Sequence, residues 1–210
     1  MRKIKKNRPR FILLLLVLAF ILAIPAGCLA AGEPIDQLRD AVDRIIAILR
    51  RDDPAELWVN KKEEIVAIVK SRFDADELAQ RVLAQHWRSR SETEKKEFIS
   101  LFSQVLETTY INKLKSYSDE EVLFTKQIVK GDRGMVYSQI VRNSQEIPIH
   151  YRLKNNKGDW RIYDIIIEGV SLVQNYRTQF DQILKQEEYA GLVRRMEEKI
   201  RENKEKDLEE

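Results

Sequence analysis

Four apolar runs, Glu121 to Lys130, Met135 to Arg142, Ile147 to Lys154 and Asp159 to Glu168, follow one another with only short polar segments between them. Those segments, Gly131-Asp132-Arg133-Gly134, Asn143 to Glu146 and Asn155-Asn156-Lys157-Gly158, are too short for a crossover helix, so neighbouring runs must pair antiparallel as hairpins. In the third run Ile147, Ile149, Tyr151 and Leu153 alternate with His150, Arg152 and Lys154, which gives one dry face and one wet face. The fourth run carries Trp160, Ile162, Tyr163, Ile165, Ile166 and Ile167 and is apolar on both sides, which requires cover by helices or by a ligand.

The sequence on either side of this meander has helical periodicity. Pro34 suits a first helical turn, and Ile35, Leu38, Val42, Ile45 and Leu49 form one stripe in a helix ending near Arg51. Asp53-Pro54 is expected to open a second helix through Leu57, Ile65, Ile68 and Val69, and Asp74 to cap a third through Leu78, Val82 and Leu83. Ser91-Glu92-Thr93-Glu94 is a capping box, followed by an apolar face from Phe98 to Leu114. After Gly169, Ser171 can cap a helix with Leu172, Val173, Tyr176, Phe180, Ile183 and Leu184 in line, and a last helix is expected from about Tyr189. The polar residues after Ile200 predict a solvated or frayed end. The fold expected is α+β, a small antiparallel sheet of about four strands against a layer of several helices, with an apolar pocket between them.

Charge must be read separately for the start of the chain. Lys and Arg number 37 against 34 Asp and Glu, but six cations fall in the first ten residues and the first acid is Glu33. Without residues 1–32 the balance is 31 against 34, or −3. The cationic start leads into a 14-residue apolar run, Phe11 to Ile24, short of the roughly 20 residues of a spanning helix and suited to a secretory signal peptide. Cleaved or kept as an anchor, this start places the rest of the chain outside the cytoplasm, divided into 1–32 as signal, 33–200 as the folded domain and 201–210 as a charged tail. Cys28, the sole cysteine, follows Ala26-Gly27 as in the end of a lipobox, although Pro25 stands where that motif prefers Leu. Two readings stay open: acylation of Cys28, or ordinary cleavage after Ala30 or Ala31.

Catalytic chemistry is sparse in the rest of the chain. There is no thiol or disulfide, no phosphate-cradling glycine loop, and no cofactor or metal is expected. His86 and His150 have no companion at ligand spacing and are read as structural. Asp164 and Glu168 share a strand face but stand about 13 Å apart, too far for a two-carboxylate hydrolase. A slightly acidic chain without a basic stripe does not predict nucleic-acid binding. What stands out is apolar and aromatic material, which suits either a core or a small-molecule cavity.

The stretch from Trp160 through Tyr163-Asp164 and Glu168-Gly169-Val170-Ser171 to Phe180 resembles the signature of the MlaC family, periplasmic phospholipid-binding proteins also called toluene-tolerance proteins. Arg81-Val82-Leu83 with Trp87-Arg88, the Phe98 and Phe102 helix ending in Tyr110, and Ile183-Leu184 extend the likeness from about Pro34 to Ile200. The resemblance implies a non-enzymatic carrier that holds phospholipid acyl chains in an apolar pocket. It also implies exchange of lipid, within a Mla-type pathway that maintains outer-membrane lipid asymmetry, between two partners. One is an outer-membrane lipoprotein and porin complex; the other is an inner-membrane ABC transporter with its substrate-binding subunit.

Strand parity and helical face nominate Val82, Phe98, Phe102, Tyr110, Ile149, Tyr151, Trp160, Val170, Val173 and Tyr176 for the pocket wall. Asp164, Glu168, Gly169 and Ser171 are assigned to the strand-to-helix turn, Gly169 for backbone freedom and Ser171 as cap. Two alternatives are an envelope enzyme on a similar scaffold, with Asp164 as its titratable group, and an interaction module that docks a partner helix.

Overall fold

Helix α1, Pro34–Leu49, starts on the expected proline and buries Leu38, Ala41 and Ile48. The computed structural model describes residues 32–52, 57–116, 120–142 and 145–209. The cationic start, Cys28 and the Asp53-Pro54 helix opening lie outside the described residues. Among them α2 runs over Trp58–Arg72 and α3 over Ala75–Leu83, with the Asp74 side chain accepting from the Glu77 amide at 3.0 Å. A 3₁₀ turn, Ala84–Ser89, leads to α4, Glu92–Tyr110. Its capping box is complete: the Glu94 amide donates to Ser91 Oγ at 3.2 Å, and the Ser91 amide donates to the Glu94 carboxylate at 2.7 Å. A second 3₁₀ turn, Ile111–Ser116, ends the helical half.

Strands β1 (Glu121–Lys130), β2 (Arg133–Arg142), β3 (Gln145–Asn156) and β4 (Asp159–Ile167) form the expected meander in sequential antiparallel order. The sheet has five strands rather than about four, because Val170–Ser171 turns back along β4 as β5. That turn needs left-handed backbone at two successive residues, Glu168 at φ +49° and Gly169 at φ +83°. Bulges interrupt β1 between Phe124 and Lys126 and β3–β4 pairing at Arg152/Leu153.

Helix α5, Leu172–Glu209, is broken at Glu188, whose φ of 58° and ψ of −167° are not helical. The second limb folds back along α4, with Leu192, Met196 and Ile200 buried and the Tyr189 hydroxyl donating to Glu94 O at 2.8 Å. Of the solvated or frayed end expected after Ile200, the fraying is corrected here, while most residues from 201 to 207 are exposed. The helix continues to Glu209, Asn203 donates to the Thr108 and Thr109 hydroxyls, and Asp207 pairs with Lys62 and Lys115 at 3.1 and 2.7 Å. Specific partners on α2, α4 and the second 3₁₀ turn hold a segment whose composition alone reads as solvated.

Candidate functional site

The pairing register divides the sheet's side chains between two faces. Val136, Ser138 and Ile140 of β2 lie opposite Tyr151, Ile149 and Ile147 of β3, and Ile149 and Tyr151 lie opposite Ile167 and Ile165 of β4. Opposite residues of an antiparallel pair share a face, so these side chains form one continuous apolar surface. At the end nearest Gly134 that surface is sealed. Val136, Leu153, Trp160 and Ile162 are buried against Leu38 of α1, with Ile35 and Phe73 alongside. The seal is tight enough that a β-carbon added at Gly134 would stand 3.1 Å from the Trp160 ring. Gln37 fastens α1 there, donating to Gly158 O at 2.7 Å and accepting from the Trp160 amide at 3.0 Å.

At the other end the same surface is not closed. Ile140, Ile147, Ile149 and Ile167 are half-buried and belong to none of the buried apolar clusters, while Tyr151 and Ile165 touch only the rim of the sealed group. A fully packed domain usually joins its buried apolar residues into one contiguous core. Here they fall into three groups among the described residues. One is the sheet-side group just described. A second joins α1, α2 and the second 3₁₀ turn through Ala41, Ile48, Ile65, Ile68 and Ile111. The third joins α3, α4 and both limbs of α5 around Phe98, Phe102 and Phe180.

The third group is dense. Phe98 and Phe102 stack with centroids 5.6 Å apart, and Phe180 meets both edge-on at 5.9 and 5.5 Å. Tyr176 meets the Phe102 ring edge-on at 4.9 Å, its hydroxyl pushed up first by burial and then by Tyr110 beside it. A crevice of about 230 Å³ lies between α4 and the two limbs of α5, with Tyr176, Ile183 and Met196 in its lining. That is below the roughly 300–1,000 Å³ of a drug-sized ligand site, so it does not hold a two-chain lipid by itself.

Polar groups on the open face are few. Ser138 is buried and donates to Ile149 O at 3.0 Å. Tyr151 lies beside it, its hydroxyl pushed up by burial against the opposing effect of Ser138. On the other face, opposite Arg152, Asp164 is 1% exposed and fully engaged: it accepts from Arg152 Nη1 at 3.0 Å, Ser171 Oγ at 2.8 Å and the Val173 amide at 3.1 Å. Ser171 Oγ also accepts from the Gln174 amide at 3.1 Å, as a helix cap does. One carboxylate thereby joins β3, β4 and the start of α5.

Glu77 is a second joint, accepting from Arg81 and, at 2.6 Å, from Lys154, with Arg133 at 3.4 Å. Burial pushes Glu77 up, but the hydrogen bonds from Lys154 and Arg81 outweigh it and hold the carboxyl at about 2. His86 pairs with Asp181 at 2.9 Å, and His150 packs on Tyr137 with ring centroids 4.6 Å apart. Among the described residues no group of three metal-binding side chains occurs.

The nominated wall residues therefore separate. Ile149 and Tyr151 lie on the open face, and Tyr110 and Tyr176 are half-buried. Val82, Phe98, Phe102 and Val173 are enclosed in the helical group, and Trp160 is enclosed at the sealed end of the sheet. Val170 needs correction: the left-handed Glu168-Gly169 turn carries it onto β5, where it is 61% exposed and forms no enclosed wall. Sequence reasoning left out Ile140, Ile147, Ile165 and Ile167. Strand parity was the available signal, since each shares the face of Ile149 and Tyr151.

Residues 39–198 match the model of the MlaC protein family. The chain is 21% identical over 196 residues to the intermembrane phospholipid transport system binding protein MlaC of Haemophilus influenzae, covering 86% of this chain and 90% of that protein. It is 21% identical to the toluene tolerance protein ttg2D of Pseudomonas putida, over 78% of this chain and 79% of that one. Among solved structures, a phospholipid-binding protein from Ralstonia solanacearum, crystallised with a phospholipid, superposes with a TM-score of 0.73 at 22% identity. It covers 82% of this chain and 99% of its own, a likeness of fold.

Proposed function

The chain belongs to the MlaC family, and from that premise and the open sheet face we propose that it is a phospholipid carrier that takes up acyl chains between the sheet and the helices. The observation that carries this reading is the row Ile140, Ile147, Ile149, Ile165 and Ile167, apolar and half-buried on a face whose other end is sealed. Two acyl chains carry roughly 30 methylenes, and at about 0.8 kcal/mol each their exposure to water costs on the order of 20 kcal/mol. A carrier offsets this with extended apolar surface rather than with a few polar contacts. The separate sheet-side and helical clusters provide such surface if they part without any one of them being dismantled.

The same reading makes the protein a binding protein and not an enzyme. Asp164, the one acid in the signature stretch that an enzyme reading can use, spends its oxygens on Arg152, Ser171 and the Val173 amide. The cationic start and apolar run of the sequence support export to the periplasm. In this reading the protein exchanges lipid there with an outer-membrane complex and with an inner-membrane ABC transporter; the Haemophilus relative is named as the binding protein of an intermembrane phospholipid transport system.

The test is native mass spectrometry of residues 32–210 purified gently from the envelope, with lipid extraction from the same sample. Bound phospholipid, lost when Ile149 and Ile165 are both replaced by Glu, is the expected result. An apo mass alone overturns the carrier reading.

A further inference from the structure

β1 is an outer strand of the sheet, and its far edge pairs with nothing among the described residues. Such an edge presents a row of unpaired N–H and C=O groups, which proteins usually guard with short length, lysines or a bulge. β1 is ten residues long and carries three exposed large hydrophobic side chains, Leu123, Ile128 and Val129. The lysine nearest its middle is turned away from the edge, with Lys126 Nζ 4.5 Å over the ring of Tyr137 on the neighbouring strand.

The bulge has a different consequence, because it changes the face on which later residues fall. Glu121, Leu123, Lys126, Ile128 and Lys130 lie opposite Val141, Gln139, Tyr137, Met135 and Arg133, on the outer face. Val122, Phe124, Gln127 and Val129 lie opposite Ile140, Ser138, Val136 and Gly134, on the inner face. A second β1 laid antiparallel along the first, end to end, sets Glu121 opposite Lys130, Val122 opposite Val129, Leu123 opposite Ile128 and Phe124 opposite Gln127. Opposite residues of an antiparallel pair must share a face, and all four of these pairs do. Without the bulge the same alignment sets every residue against one of the other face.

The strand is thus complementary to itself. Opposite charges meet at both ends, the exposed apolar residues cover one another, and each contact occurs twice, as in an isologous two-fold interface. We propose that β1 is the docking edge for a second copy of this chain, joining two sheets into one across a two-fold axis.

Sedimentation equilibrium of residues 32–210, which form one compact unit, tests this from micromolar to millimolar concentration. A reversible dimer is expected. Lys130→Glu sets like charges opposite each other and should raise the dissociation constant several-fold, while Glu121→Lys combined with Lys130→Glu exchanges the charges and should restore it. Leu123→Cys with Ile128→Cys, in a chain segment that has no other cysteine, should give a covalent dimer on mild oxidation. Circular dichroism checks that every variant keeps the fold. A monomer at all concentrations overturns the proposal, and so does a dimer that is indifferent to Lys130→Glu, is not restored by the charge exchange, or leaves the paired cysteines uncoupled.

Discussion

The α3–α4–α5 cluster and the open half of the sheet use the same kinds of side chain to opposite ends. In the cluster, Phe98, Phe102 and Phe180 meet ring to ring and Phe98 has no exposed surface. On the sheet, Ile147, Ile149 and Ile167 stand side by side and remain half-buried. Apolar residues fill a core when neighbours from another element reach them; left unreached, they are a surface waiting for a ligand. The difference lies in what faces the residues and not in the residues themselves.

The largest expected effect is in the α3–α4–α5 cluster. Phe102→Ala should lower unfolding stability by about 3–5 kcal/mol, because the helices around it cannot collapse into the space. Denaturant titration of residues 32–210 measures it. The matching change on the open side, Ile149→Ala, should cost about 1 kcal/mol or less in lipid-free protein while lowering the amount of bound lipid. Equal losses at the two positions break the contrast between core and site.

The joints between the regions come next. Asp164→Ala strands the Val173 amide and the Ser171 hydroxyl and removes the partner of Arg152, with an expected cost of about 2–3 kcal/mol. Asp164→Asn, which keeps an acceptor for the amide, should lose less.

Glu77 gives the pH dependence. Its carboxyl is held at about 2, below its ordinary value of 4.5, so the stability it contributes is fully present above pH 4.5 and is lost as pH falls from 4.5 towards 2. The upper bound of that contribution is roughly 3.4 kcal/mol, at about 1.4 kcal/mol per pH unit between 4.5 and 2, and solvent screening lowers it. Glu77→Gln should remove that portion of the acid dependence in melts recorded across this range.

The smallest effect concerns the end of α5. Asp207→Ala, which breaks the pairs with Lys62 and Lys115, should cost about 1 kcal/mol or less.

Much of this arrangement is legible in the sequence where the signal is local. The Ser91–Glu94 box, the hairpin turns and the Gly169 turn are each set by residues within a few positions of one another. Helical stripes are less informative, since periodicity shows that Val82, Phe98, Phe102 and Val173 are buried without showing against what. Those residues face other helices, whereas Ile149 and Tyr151 face the opening. The bulge at Arg152/Leu153 has no proline to announce it, whereas the break at Glu188 falls where periodicity separates two helices, the last one expected from about Tyr189. Gly191 is a further clue to the second, since a β-carbon there would overlap Cβ of Glu187. Residues 203–207 are held by individual pairs, which composition does not encode.

The central claim is that acyl chains lie on the open half of the sheet. Methyl NMR of isoleucine-labelled residues 32–210, loaded with a phospholipid whose chains are protonated in an otherwise deuterated sample, tests it most directly. Nuclear Overhauser contacts from the chains to Ile149, Ile165 and Ile167, with none to Ile65 or Ile68, are the predicted result. Contacts confined to Ile183 beside the α4–α5 crevice, or no contact to any isoleucine of the sheet, would contradict it.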